Sequence, residues 1–153
     1  MGESAGSCVS DPLTSDFVDE LVDVSLSLLA QLRQAGNVVF GSLGLTYSQA
    51  MLLIFVERGF TRPKELAGLL GVVFPALSSL VTNLADGGLV TRVLDPADGR
   101  RVEILLTPAG TATCFKIRQA WRDLGPLDVS RFGEAQVDTF LNVARAAMKP
   151  ESH

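Results

Sequence analysis

The chain is short of nearly everything that marks a chemical centre. It has one histidine, the last residue His153, and two cysteines, Cys8 and Cys114. No CxxC pair or Cys/His ligand spacing exists, so no structural metal is expected. One terminal imidazole leaves no His-based acid–base pair, and no Ser/His/Asp or paired-carboxylate spacing stands out, so neither catalytic residues nor a cofactor are assigned. Cations are in the minority: 13 Lys and Arg stand against 17 Asp and Glu, a net charge of −4. Nucleic-acid binders usually carry an excess of Lys and Arg, so the global balance argues against that function. A small basic edge on an acidic body would nevertheless average away. No basic segment followed by an apolar one opens the sequence, so no secretion signal is expected and a reduced, cytoplasmic protein is the default reading.

What is present is apolar. Hydrophobic residues make up 47% of the chain and charged ones 20%, which suits a packed globular domain of 153 residues rather than a disordered chain. The longest uncharged run, "LAGLLGVVFPALSSLVTNLA", covers 20 residues between Glu65 and Asp86. About 20 apolar residues would span a bilayer. This run is a poor anchor, because Gly68, Gly71 and Pro75 interrupt it and Ser78, Ser79, Thr82 and Asn83 give its second half a polar face. No aromatic belt or cation cluster marks one end. It reads as two short helices. The first carries Leu66, Leu69 and Leu70 and stops at Gly71. The second carries Leu77, Leu80, Val81 and Leu84 at helical spacing, has Pro75 in its first turn and closes at Gly87 and Gly88. Two short helices joined by a tight Gly-containing turn make a helix-turn-helix.

The flanking sequence supplies the context. Residues 1–15 read as a loose tail. "DFVDELVDVSLSLLAQLRQAG" sets Phe17, Leu21, Val24, Leu28 and Leu32 on one helical face, capped by Ser15 or Asp16 and ending at Gly36. "TYSQAMLLIFVERG" opens on a capping box, Thr46 with Gln49, and is apolar on most sides. After the helix-turn-helix the period changes. "LVTRVL" and "RVEILL" are strand-like runs around the turn signals of "DPADGR". A long helix then starts with Thr107 as N-cap and Pro108 in first position, and breaks at Gly125-Pro126. A last helix turns Phe132, Val137, Phe140, Leu141 and Ala144 inward. The fold class is therefore mainly α with a small two-stranded β wing.

With these stretches in place, the chain resembles the MarR family of winged helix-turn-helix transcription regulators. The carrying residues are "LTYSQAMLL", "RPKELAGLLGV" and "LVTNLADGGLVTRVLDPADGRRVEILLTPAG". The last is the most specific, with its Asp-rich wing turn and the Leu-Thr-Pro-Ala-Gly that opens the next helix. The resemblance implies one domain over 16–153. In it, 16–36 and 107–148 form dimerisation helices and 45–106 a winged helix-turn-helix. It implies a homodimer on palindromic double-stranded DNA, acting as a repressor that responds to a small ligand. Two-fold symmetry demands two half-sites about one helical turn apart. Phe17, Leu21, Val24, Phe132, Phe140 and Leu141 are then the dimer interface. Tyr47, Met51 and Trp121 would line an apolar pocket for a hydrophobic or aromatic ligand. Arg62, Lys64, Pro75, Ser78, Ser79, Thr82, Asn83, Arg92, Asp98, Arg100 and Arg101 would form the DNA-binding set.

The sequence departs from the family pattern at one place. Between Gly71 and Ala85 there is no Lys or Arg, although family members usually carry one or two along the reading helix. Over Thr61 to Arg101, five cations (Arg62, Lys64, Arg92, Arg100, Arg101) face Glu65, Asp86, Asp95 and Asp98, which leaves a nearly neutral surface. One reading is a regulator with an unusually apolar reading helix, on which Ser78, Ser79, Thr82 and Asn83 bond to phosphates or base edges, Phe74 and Ala76 meet thymine methyl groups, and Arg100 reaches the minor groove. The other is a MarR fold that has lost DNA binding and binds or transforms a small molecule in the dimer cleft, through Asp, Glu, Tyr or Cys. Plainer roles stand beside these: Arg100 with Asp98 as a wing ion pair, Ser78 and Ser79 as solvated helix positions, Cys8 as an inert tail thiol, and Cys114 as a small core hydrophobe.

Overall fold

A computed structural model of the chain describes residues 12–94, 101–124 and 132–147. Among them, α1 (Pro12–Gly41), α2 (Tyr47–Glu57), α3 (Pro63–Leu70) and α4 (Phe74–Asp86) are followed by a hairpin. The hairpin is β1 (Val90–Leu94) with β2 (Val102–Leu106), and α5 (Pro108–Leu124) and α6 (Glu134–Ala147) complete the chain. This is the mainly helical, two-stranded winged architecture expected from the sequence.

α1 is longer than the sequence suggests at both ends. It starts at Pro12, so Ser15 lies inside the helix rather than capping it. It also runs through Gly36 to Gly41. Gly36 is no terminator but a close-approach residue: a Cβ there would sit 2.6 Å from the Tyr47 ring and 3.0 Å from the Phe40 ring. The chain turns later, at Gly44 with φ +71°, where the Phe40 carbonyl accepts from both Leu43 and Leu45 at 2.9 Å.

α2 is the central helix. Ala50, Leu52, Leu53, Ile54 and Val56 are buried, joined by Phe40 of α1, Leu66 of α3, Leu77, Val81 and Leu84 of α4, and Ile117 of α5. The expected capping box holds its start. The Gln49 N–H donates to Thr46 Oγ1 at 3.2 Å, and the Thr46 N–H donates to Gln49 Oε1 at 2.8 Å.

The uncharged run resolves into α3 and α4, bent by 105° across the break between them. Gly71 ends α3 in the left-handed region at φ +63°, and the Val72 N–H donates back to Ala67. Leu66, Leu77, Val81 and Leu84 face the core, while Ser78, Ser79, Thr82 and Asn83 are exposed. No single helix among the described residues is long and apolar enough to cross a membrane.

β1 and β2 pair antiparallel, Val90 opposite Leu106 and Leu94 opposite Val102. The Ile104 N–H donates to the Thr61 carbonyl at 2.9 Å, and the Thr61 hydroxyl donates to Glu103 at 3.2 Å, which ties the wing to the α2–α3 connection. Thr107 caps α5 as expected. Its Oγ1 accepts from the Gly110 N–H at 3.0 Å and donates to the Gly88 carbonyl at 2.6 Å. Gly110 has a physical reason to be glycine, because a Cβ would fall 2.0 Å from the Leu89 carbonyl oxygen. The sequence predicts an inward-facing apolar side for the last helix. Within the described protomer, Phe132, Phe140 and Leu141 are instead exposed, and only Val137 and Ala144 are half-buried. Phe132 also precedes α6 rather than belonging to it. The Gly125-Pro126 break lies outside the described residues.

Candidate nucleic-acid interface

α4 presents its outer face beside the hairpin. It starts without a polar side-chain cap: Val73 occupies the N-cap position and Pro75 the first turn. Val73 and Phe74 are 72% and 61% exposed, large values for apolar side chains. The hydroxyls that follow are partly committed. Ser79 donates to the Pro75 carbonyl at 3.1 Å, a bond internal to the helix. Thr82 accepts from Arg92 Nη2 at 2.8 Å, and the same nitrogen donates to the Ser78 carbonyl at 3.3 Å. Arg92, expected to serve as a cation for phosphate, is thus first a strut from β1 to α4. The Ser78 and Asn83 side chains are exposed on the same helix.

The remaining cations lie at the margins. Arg62 stands at the N-cap of α3 with no capping bond from its side chain, and Lys64 follows in the first turn, both exposed. Arg101 is exposed immediately before β2. Asp98 and Arg100 fall outside the described residues, as does Cys8. The structure therefore brings Pro75, Ser78, Ser79, Thr82, Asn83 and Arg92 together along α4 and β1, with Arg62 and Lys64 at the adjoining start of α3.

The residues expected to line a ligand pocket gather around Phe40. Its ring lies edge-on to Trp121 with centroids 5.3 Å apart, and 6.2 Å from Tyr47. Arg33 sits over the Tyr47 ring at 5.9 Å, and Met51 is half-buried in the same shell. A cavity of about 210 Å³ opens elsewhere, between α3, α4 and the hairpin, with Pro63, Phe74, Leu77, Val81, Arg92 and Val102 among its walls. Apart from Arg92 and the neighbouring Ser78 its lining is apolar.

One contact leaves no trace in the sequence. Arg118 of α5 pairs with Glu57 at the end of α2, at 2.5 Å, which joins the winged part to α5. The partners are 61 residues apart, so no local pattern announces them. One turn before Arg118, Cys114 is fully buried, and that burial, with a smaller push from Glu57, raises its thiol from 9.0 to about 11 despite the opposing Arg118. Such a thiol is inert at neutral pH. No His/Cys/Asp/Glu cluster suited to a metal occurs among the described residues.

Comparison with known proteins agrees with this geometry. Residues 43–101, from the turn before α2 through the wing, match the profile of the MarR family. The multiple antibiotic resistance protein MarR of Salmonella typhimurium is 30% identical over 111 residues, which cover 69% of this chain and 76% of that protein. Among solved structures, a mutant MarR from E. coli complexed with operator DNA superposes with a TM-score of 0.70 at 23% identity, covering 88% of this chain and 97% of the other. CouR from Rhodococcus jostii, bound to p-coumaroyl-CoA, superposes with a TM-score of 0.72 at 20% identity, covering 92% and 97%. The chain belongs to the MarR family.

Proposed function

We propose that the chain is a sequence-specific DNA-binding transcription regulator, a cytoplasmic homodimer that represses from palindromic double-stranded DNA and responds to a small ligand. The observation that carries this reading is the placement of α4. It is set at 105° to α3 and braced by Arg92, with its outer face open beside a hairpin and Arg62 and Lys64 at the margin. That is the arrangement by which a reading helix enters the major groove while flanking cations meet phosphates. The E. coli relative complexed with operator DNA supports it.

The dimer reading rests on uncovered apolar surface. Phe17, Leu21 and Val24 on α1, Phe132 before α6, and Phe140 and Leu141 on it are all exposed in the protomer. Residues 16–36 and 107–148 would supply the two-fold contact, and 45–106 the DNA-reading lobe. The ligand reading has two places to act. One is the cavity beside α4, apolar with Arg92 at its wall, which suits a small aromatic or hydrophobic acid. The other is the neighbourhood of Tyr47, Met51 and Trp121, which a second subunit would complete. A ligand at either place that favours one lobe position must change DNA affinity by linkage. CouR, bound to p-coumaroyl-CoA, gives the fold a precedent for an aromatic acyl ligand.

Fluorescence anisotropy on the DNA upstream of the protein's own gene tests the reading. Saturable binding that unlabelled random duplex fails to compete away supports it. Equal competition by random duplex contradicts sequence-specific regulation.

A further inference from the structure

We propose that Val73 and Phe74, at the start of α4, are specificity-determining residues that read the 5-methyl group of thymine in the major groove. The inference rests on the regulator reading and narrows it to a class of half-site.

Three observations lead to it. First, α4 carries no Lys or Arg from Phe74 to Asp86, so the two-pronged contact of a cation with guanine O6 and N7 is not available from this helix. Second, the polar side chains of the helix are partly spent. The Ser79 proton goes to the Pro75 carbonyl, and the Thr82 oxygen accepts from Arg92. Third, the surface that remains at the leading end is apolar and open: Val73, Phe74 and Ala76 are all exposed. An exposed apolar cluster of this kind marks a binding surface.

On the base edges of the major groove the pyrimidine 5-methyl group is the one apolar substituent among the hydrogen-bonding groups. Two cations and one carboxylate, Glu65, stand at the margin of the apolar cluster, and the cations suit the phosphates of a duplex as the occupant. Arg62 and Lys64 are exposed on either side of Pro63, and Pro63 shares the wall of one cavity with Phe74 and Arg92. An apolar centre with cations at its edge matches a groove floor flanked by phosphates. Thymine and 5-methylcytosine both carry the group; thymine is the committed source, and the experiment separates it from its paired adenine.

The test begins with duplexes selected on the full-length protein from a random-sequence library. In the selected duplex, each thymine is replaced in turn by deoxyuridine, which removes the methyl group and nothing else. At the contacted positions affinity should fall about fourfold per methyl. Phe74→Ala and Val73→Ala, both exposed and so compatible with folding, should bind the thymine duplex more weakly and lose the difference between thymine and deoxyuridine. Exchanging the contacted T·A pair for 5-methylcytosine·G, which keeps the methyl group, should retain most of the affinity. If deoxyuridine costs nothing, or if the 5-methylcytosine pair binds no better than plain C·G, the methyl readout is overturned while the regulator stands. If no duplex is selected at all, the regulator reading falls and this inference with it.

Discussion

Arg92 on β1 reaches across to α4, where its Nη2 lies 2.8 Å from the Thr82 hydroxyl and 3.3 Å from the Ser78 carbonyl. One guanidinium thus links the wing to α4. The bond is exposed, so its worth to stability is modest, about 1 kcal/mol. Arg92→Ala and Thr82→Ala should each destabilise by about that amount, and the double variant by less than their sum. Urea midpoints of the four proteins check the cycle. Strict additivity would show that the strut carries no energy. Arg92→Lys should restore part of the coupling, because one nitrogen makes both contacts and an ammonium can also donate to two acceptors.

Two glycines should respond in opposite directions to alanine. At Gly110 the added Cβ would lie 2.0 Å from a backbone oxygen, so the α5 start and the β1 entrance must separate. The expected loss is at least about 3 kcal/mol. Gly68, inside α3 with nothing within 4 Å of its Cβ position, should gain roughly 0.5–1 kcal/mol as alanine through better helix propensity. Thermal melts of both variants settle the contrast.

The same glycines show what the sequence could and could not reveal. Gly71, Gly87 and Gly88 end helices and were legible as stops, as were the Thr46–Gln49 box and the Thr107 cap, because these signals act within a few residues. Gly36 looks identical on paper to a helix terminator. Its reason is the Tyr47 ring, which only the tertiary packing brings against α1. Arg92 was legible as a cation but not as a strut, since its partners lie 10 and 14 residues earlier on another element. The uncharged run was readable as two helices because Gly71 and Pro75 interrupt it. The cavity beside α4 was not, because its walls come from four separated stretches.

Cys114 gives the fold a pH dependence with a definite sign. Its thiol is held neutral to about 11 in the folded chain against 9.0 for the ordinary group, chiefly by burial. As pH rises past 9.0 the unfolded chain releases a proton that the folded chain keeps, so stability falls from there until the folded thiol also ionises, near 11. Below pH 9.0 the residue contributes no slope. Urea midpoints across that interval should decline more steeply for wild type than for Cys114→Ala. Parallel lines would contradict the burial account. At neutral pH the native thiol should resist alkylating reagents and react only on unfolding.

Assembly should depend on the apolar face of α1. Phe17 and Leu21 lie one turn apart and are both exposed in the protomer. Light scattering at micromolar concentration should report a dimer. Leu21→Asp, which places a charge in the expected interface, should shift the protein to monomer or aggregate. A wild-type chain that stays monomeric and soluble contradicts the two-fold architecture.

The most direct test of the regulator itself is the salt dependence of binding to its own upstream DNA. With no cation on α4, the electrostatic grip falls to Arg100 and Arg101 in the wing segment and to Arg62 and Lys64 at the start of α3. Wild type should bind with an affinity that falls steeply as salt rises. Arg100→Ala should weaken binding on all sequences and lower the slope of log affinity against log salt by about one unit. The contradicting result is a wild-type protein with no affinity at low salt and a Ser79→Arg variant that gains non-specific binding where none existed.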